Sequence, residues 1–310
     1  MIENCLFDVI IPCGPNDVKF VIKVVSELRK FIINADKIYV ITNEKFVNKI
    51  TKNINDSRTI VLNEDTLVNG LNFSIVRSLM NYKNRHEGYG WIFQQLLKLG
   101  FATTEYAKDY YLSWDADTLP LHELVFFENG HPIFTKKTEY HKPYFETNER
   151  LIGIGKVKPY SFIAEHMIFK TKYVNDMIAE IMQSKIEGKS WVEKCINSCD
   201  FIMTEVFSEF ELYGSYVSVK HPDEYKTRQL RSFRNGGLIR GRYINDRLLS
   251  ALSFDLDIAS FEYKAESPFP YNLDGWFWRK FRRYEKWKNI PLCEIPNELY
   301  CSIKRRIFGK

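Results

Sequence analysis

Asp109-Tyr110-Tyr111-Leu112-Ser113-Trp114, running into Asp115-Ala116-Asp117-Thr118-Leu119-Pro120, is the stretch on which the fold turns. Aromatic and apolar residues up to Trp114 have the composition of a strand, and the two aspartates open the loop that ends it. Working upstream, residues 90–101 (GWIFQQLLKLGF) form a mostly apolar helix, and Leu6-Phe7-Asp8-Val9-Ile10-Ile11-Pro12 reads as a buried strand that Pro12, Gly14 and Pro15 turn into a loop. Val21, Val24, Val25, Leu28 and Ile32 recur at helical spacing between Val18 and Ile33. Lys37 to Thr42 and Thr59 to Leu62 read as the next two strands. Strands that alternate with helices predict an α/β fold built on a parallel sheet. Downstream, the pattern predicts an aromatic strand-rich stretch, a helix near 173–187 and another near 208–216.

The chain has 310 residues, 45% hydrophobic and 27% charged, enough to bury a large core and far from the composition of a disordered or collagen-like chain. No apolar run approaches the ~18 residues that span a bilayer, and Met1-Ile2-Glu3-Asn4 lacks a basic signal-peptide start, so a cytoplasmic place is expected. Cys5, Cys13, Cys195, Cys199, Cys293 and Cys301 are scattered and read as reduced thiols. Cys195 and Cys199 stand one helical turn apart, yet no second pair completes a zinc set. The formal net charge of +5 is unevenly spread. Residues 276–310 hold ten Lys and Arg against three Glu, a net of +7, which leaves −2 on the first 275. With no internal repeat or low-complexity linker, the chain divides into a catalytic domain over 1–275 and a basic aromatic, helical appendage over 276–310.

Asp115 and Asp117 lie two apart where an extended strand ends, so both carboxylates reach one side and one cation. Hard oxygen ligands suit Mg²⁺ or Mn²⁺. The competing reading is a solvated turn in which aspartate caps the chain before Pro120. On the preceding helix, Trp91, Gln94, Gln95 and Lys98 form a stripe opposite Ile92, Phe93, Leu96, Leu97 and Leu99; buried amides and ammonium groups require partners.

Four blocks carry a resemblance: Gly90-Trp91-Ile92-Phe93-Gln94-Gln95-Leu96-Leu97-Lys98, Trp114-Asp115-Ala116-Asp117-Thr118, Ser161-Phe162-Ile163-Ala164-Glu165-His166-Met167, and Phe207-Ser208-Glu209-Phe210-Glu211-Leu212-Tyr213-Gly214. Together they resemble a bacterial polysaccharide (capsule or O-antigen) glycosyltransferase family that is often labelled only as a domain of unknown function, and through the strand ending in DxD the chain is similar to GT-A enzymes. Over residues 5–220 the resemblance implies a GT-A-like (Rossmann-like) α/β fold with a mixed, mainly parallel sheet flanked by helices, and a metal-dependent hexosyltransferase. Its expected donor is a nucleotide-diphosphate sugar, of UDP type. It further implies Mn²⁺ or Mg²⁺ on Asp115 and Asp117, with a bacterial surface polysaccharide or lipid-linked oligosaccharide as acceptor. The cation would neutralise the departing diphosphate. Gln95 and Lys98 are then expected on donor phosphate and sugar hydroxyls, and Pro12, Asn16 and Asp17, in the loop after the first strand, on base and ribose, unless Asn16 and Asp17 only cap the next helix. His221 is a loose match to a further metal ligand.

Ser208-Glu209-Phe210-Glu211 fits the capping box S-x-x-E, which occupies Glu211 and leaves Glu209 as a candidate general base. Glu165 is the rival base and His166 a candidate donor contact; in their apolar run the two are either a site or an internally satisfied core pair. Arg228, Arg231 and Arg234 are spaced to meet phosphates or to form a solvated face. Gly153-Ile154-Gly155-Lys156 lacks the third glycine of a dinucleotide fingerprint, and neither a P-loop nor a GxSxG elbow occurs. The alternatives are a sugar-phosphate nucleotidyltransferase, which usually carries a glycine-rich basic loop after the first strand, or a membrane- or RNA-binding adaptor. In the appendage, Phe277, Phe281, Tyr284 and Trp287 alternate with Arg279, Arg282, Arg283 and Lys286 at helical spacing. Such an element suits the anionic inner face of the plasma membrane, core packing, or RNA.

Overall fold

The computed structural model describes residues 6–201, 205–237, 242 and 244–262. The appendage at 276–310, with Cys5, Cys293 and Cys301, lies outside the described residues.

Strand β1 (Phe7–Cys13) is buried on both faces, as its unbroken apolar run requires. Helix α1 (Val21–Phe31) buries Val21, Val24, Val25 and Leu28, the residues whose spacing announced it. Then come β2 (Ala35–Thr42), α2 (Glu44–Thr51), β3 (Thr59–Asn63), α3 (Phe73–Tyr82), α4 (Tyr89–Gly100) and β4 (Tyr110–Trp114). Asn43 and Asn72 cap α2 and α3, two helices that the sequence reading does not foresee. Short strands β5 (Thr118–Pro120), β6 (Phe127–Glu128) and β7 (His131–Thr135) follow, then α5 (Lys142–Ile152), β8 (His166–Lys170), α6 (Thr171–Gln183), α7 (Trp191–Ser198), α8 (Glu209–Lys220), β9 (Lys226–Arg228), β10 (Ser232–Phe233) and β11 (Ile258–Ser260).

The main sheet has the order β3-β2-β1-β4-β8. Its first four strands are parallel and β8 is antiparallel to β4, so the expected mixed, mainly parallel sheet is present. Two further three-stranded sheets have the orders β10-β11-β5 and β6-β7-β9. The chain leaves β1 towards β2 and β3, then returns to the other side of β1 at β4. Between β1 and β4 the strand order therefore reverses, and a crevice opens outside their carboxyl ends. The loop Pro12–Asp17 and the loop Asp115–Asp117 face one another there.

Helix α8 is buried from Glu209 through Ser218 and packs on α4, α5, α6 and β8. It runs four residues beyond the expected end near 216, because Val217 and Ser218 are buried too. Cys195 and Cys199 are free and buried, and Cys199 Sγ lies 3.3 Å from the Cys195 carbonyl oxygen, so they make an α7 packing contact. Among the described residues no helix is long and apolar enough to cross a membrane.

Candidate active site

A cavity of about 630 Å³ occupies the crevice. The loop after β1 contributes Pro12, Asn16 and Asp17, the loop after β4 contributes Asp115, Ala116 and Asp117, and α4 contributes Trp91, Gln94, Gln95 and Lys98. The whole polar stripe of α4 thus faces the cavity. Glu165 lines it from the loop before β8, and Ser208 and Glu209 from the N-cap and first residue of α8.

Asp115 is fixed at both ends: its backbone N–H donates to the Glu165 carbonyl oxygen at 3.0 Å, and its Oδ1 accepts from Lys98 Nζ at 2.8 Å. Lys98, only 2% exposed, also reaches Glu209 Oε1 at 2.7 Å. Burial works to discharge this lysine, but Asp115 and Glu209 outweigh it and hold its pKa above the ordinary lysine value. Burial pushes the Glu209 carboxyl up, against the opposing pull of Lys98. Gln95 lies against Glu209; with its amide nitrogen turned to that carboxylate it donates to Oε1 at 3.1 Å and accepts from Trp91 Nε1 at 3.3 Å. Gln95 and Lys98 therefore line the cavity, as expected, but their polar atoms are engaged by protein groups rather than open to a donor.

Asp117 accepts from the Phe261 amide through its carbonyl oxygen at 2.8 Å and from Thr118 Oγ1 at its carboxylate at 3.2 Å. Burial, then Asp115 and Asp17, push its carboxyl pKa up to about 7. Asp17 pairs with Arg242 at 2.6 Å. Neither Asn16 nor Asp17 caps α1 with its side chain, whose first turn begins after Phe20. Capping is thereby removed as the explanation for these two residues.

Several expectations are corrected. Glu211 does not reach back to the Ser208 amide: Ser208 Oγ accepts from the Glu211 N–H at 3.3 Å, but the Glu211 carboxylate accepts from the Phe162 N–H at 2.6 Å and from Ser215 Oγ at 3.2 Å. His166 does not face the cavity. Its ring stacks on Trp114 with centroids 4.9 Å apart and Nε2 meets Thr135 Oγ1 at 2.9 Å; burial depresses its pKa well below the ordinary histidine value. It is a core histidine, because strand alternation sends it away from Glu165. His221 is no metal ligand. It follows α8, twelve residues long, and at ~1.5 Å per residue stands about 18 Å from Glu209, stacked on Tyr173. Arg228 bonds Thr135 and the Val125 carbonyl, and Arg231 pairs with Asp257, both away from the cavity. Arg234 alone of the three lines it, paired with Glu139 at 2.9 Å and Glu165 at 3.1 Å. Glu165 also meets Lys137 at 2.9 Å.

The sequence reading missed Glu139, His141, Tyr144, Glu205, Arg242, Ser260 and Glu262 in the lining. Trp91 and Tyr144 stack with ring centroids 6.2 Å apart. Ser260 and Glu262 arrive because β11 pairs with β5, a pairing between distant segments that no local pattern announces. The lining holds eight carboxylates (Asp17, Asp115, Asp117, Glu139, Glu165, Glu205, Glu209 and Glu262) against Lys98, Arg234 and Arg242. Each cation is already against carboxylates of the same wall.

Asp115 and Asp117 offer hard carboxylate oxygens on one wall, the ligand type that Mg²⁺ and Mn²⁺ take, so the pair fits a divalent cation. Among the described residues no three His, Cys, Asp or Glu side chains form a metal set, so the other positions would fall to water and substrate oxygens.

A model of the family of unknown function DUF6492 matches residues 19–232. No curated protein matches the sequence. Among solved structures, the chain is similar to the galactosyltransferase LgtC in complex with donor and acceptor sugar analogs, at 12% identity over 93% of this chain and 99% of that one, with a TM-score of 0.43. It is also similar to mouse xyloside xylosyltransferase 1 in its apo form, at 10% identity over 84% of this chain and 99% of that one, TM-score 0.43. A third is the apo glycosyltransferase GlyE of Streptococcus pneumoniae TIGR4, at 10% identity over 96% and 63%, TM-score 0.41.

Proposed function

This chain belongs to the family of unknown function DUF6492, and from that premise we propose that it is a glycosyltransferase that moves a sugar from a nucleotide-diphosphate donor to a hydroxyl of a glycan acceptor. The observation that carries the reading is the position of Asp115 and Asp117. They stand at the switch point of the sheet, in a cavity whose cations are already paired. A diphosphate entering that acidic lining needs a divalent cation with it.

In this reading Asp115 and Asp117 would hold Mn²⁺ or Mg²⁺, which would supply positive charge against the leaving diphosphate. Pro12, Asn16 and Asp17 line the donor end beside that pair. Glu209 accepts the acceptor hydroxyl proton during in-line attack, and Lys98, which touches both Glu209 and Asp115, is a positioning residue that fixes the two carboxylates relative to each other. Glu165 is held by two cations, Lys137 and Arg234, against the single Lys98 on Glu209, and is the less suitable base. A nucleotidyltransferase reading is less favoured, because the one charged side chain in the loop Pro12–Asp17 is Asp17, which offers nothing to a triphosphate. A UDP-sugar as donor, a bacterial surface polysaccharide or lipid-linked oligosaccharide as acceptor, and a cytoplasmic, membrane-peripheral setting through 276–310 complete the proposal.

The test is release of nucleoside diphosphate from a panel of sugar nucleotides with Mn²⁺, with and without EDTA. Wild type should hydrolyse one donor slowly in a chelator-sensitive way, and Asp117→Ala should lose about hundredfold. Turnover indifferent to both changes would remove the metal assignment, and no turnover or thermal stabilisation by any donor would remove the transferase reading.

A further inference from the structure

The cavity has two chemically different ends. At one stand Asp17, paired with Arg242, and the Asp115 and Asp117 carboxylates proposed to hold the cation. At the other, half-buried Trp91 from α4 and buried Tyr144 from the first turn of α5 stack at an interplanar angle of 17°, and the His141 and Tyr144 rings meet edge to face with centroids 4.4 Å apart. We propose that this aromatic end is a subsite for an acceptor sugar that carries hydroxyls or an amino group but no acid, and that it turns away uronic and other acidic sugars. The proposal deepens the glycosyltransferase reading and rests on it for the word acceptor.

Aromatic surface beside a few polar groups is the setting in which a sugar ring packs its apolar face and bonds its hydroxyls. Charge sets the selectivity. Glu139 and Glu205 stand exposed on this wall and Glu209 stands behind it. Burial and then these same three carboxylates push the Tyr144 hydroxyl pKa above its ordinary value. Of the cations lining this side, Lys98 is held between Asp115 and Glu209, and Arg234 between Glu139 and Glu165. A carboxylate on the incoming sugar would meet like charge and guanidinium already engaged, whereas a hydroxyl or an ammonium meets acceptors.

Saturation-transfer NMR on the full chain, without nucleotide, tests this with methyl hexopyranosides, their 2-amino counterparts and the matching uronic acids. Neutral and amino sugars should receive saturation and uronates none. Trp91→Leu should weaken the neutral sugars about tenfold. Glu139→Gln, at an exposed position, should admit uronates by releasing one side of Arg234. Uronates that bind as well as their neutral partners, a panel in which nothing binds, or binding indifferent to Trp91→Leu in a folded variant would each overturn the proposal. The donor-hydrolysis assay uses no acceptor, so failure of the transferase reading is seen separately: sugars that bind as stated without any donor turnover leave a sugar site and no transferase.

Discussion

Lys98 is one ammonium group shared by two carboxylates at 2.8 and 2.7 Å, with 3% of its side chain exposed. Its removal strands buried negative charge. Lys98→Met should cost about 3–5 kcal/mol in urea denaturation, and Lys98→Met with Glu209→Gln should recover much of it. A double variant no more stable than the single one would show that Glu209 is not the stranded charge. Asp117 carries the opposite sign. Its folded pKa of about 7 lies above the unfolded value of about 3.9, so the folded state binds the proton more tightly and stability falls as pH rises between them. In EDTA, Asp117→Asn should therefore be more stable than wild type by about 1–2 kcal/mol at pH 8, discounted because the side chain is half-exposed, and the gain should shrink by pH 5. A gain independent of pH would refute the burial account. At this scale the DxD pair was legible, since strand ending and two-residue spacing are local. The partners of Lys98 were not: Asp115 and Glu209 lie 17 and 111 positions away in the sequence, and a buried ammonium announces only that it needs partners.

Among the elements, α8 joins Glu209, the proposed base, to the rest of the site. Gly214 sits where a Cβ would enter the ring of Phe162, whose own amide is held by Glu211. Helix propensity alone would make Gly214→Ala a gain of about 1 kcal/mol. Overpacking costs about 1–3 kcal/mol and should win, lowering the melting temperature and disturbing the loop 161–165 that carries Glu165. A melting temperature unchanged or raised would show that Phe162 yields freely. Helices α1 and α4 were readable because each has a one-sided apolar pattern or a nearly continuous one. Helix α8 is buried all round, so only Ser208 marked its start, and α5 escaped notice because Thr147 and Asn148 lie fully buried where its pattern should be apolar. The sheet could be read from alternation, but the antiparallel return of β8 could not.

For the molecule as a whole, charge is segregated: residues 276–310 carry a net +7 and the remainder −2. Liposome flotation on anionic vesicles should retain the intact chain and lose a chain ended at residue 275, with the difference shrinking in high salt. Equal flotation of both would remove the membrane role assigned to the appendage. The sequence made that asymmetry plain, whereas the closure of the site was hidden in pairings between remote segments. The amide of Phe261 holds Asp117, and Ser260 and Glu262 complete the wall, although the sheet that positions both aspartates ends with β8 at Lys170. During synthesis from the N-terminus, a nascent chain halted near residue 250 would already own every strand of that sheet and still lack the part of the wall that Ser260 and Glu262 form. Competence to bind donor would thus arrive as a late event of translation, well after the framework can assemble.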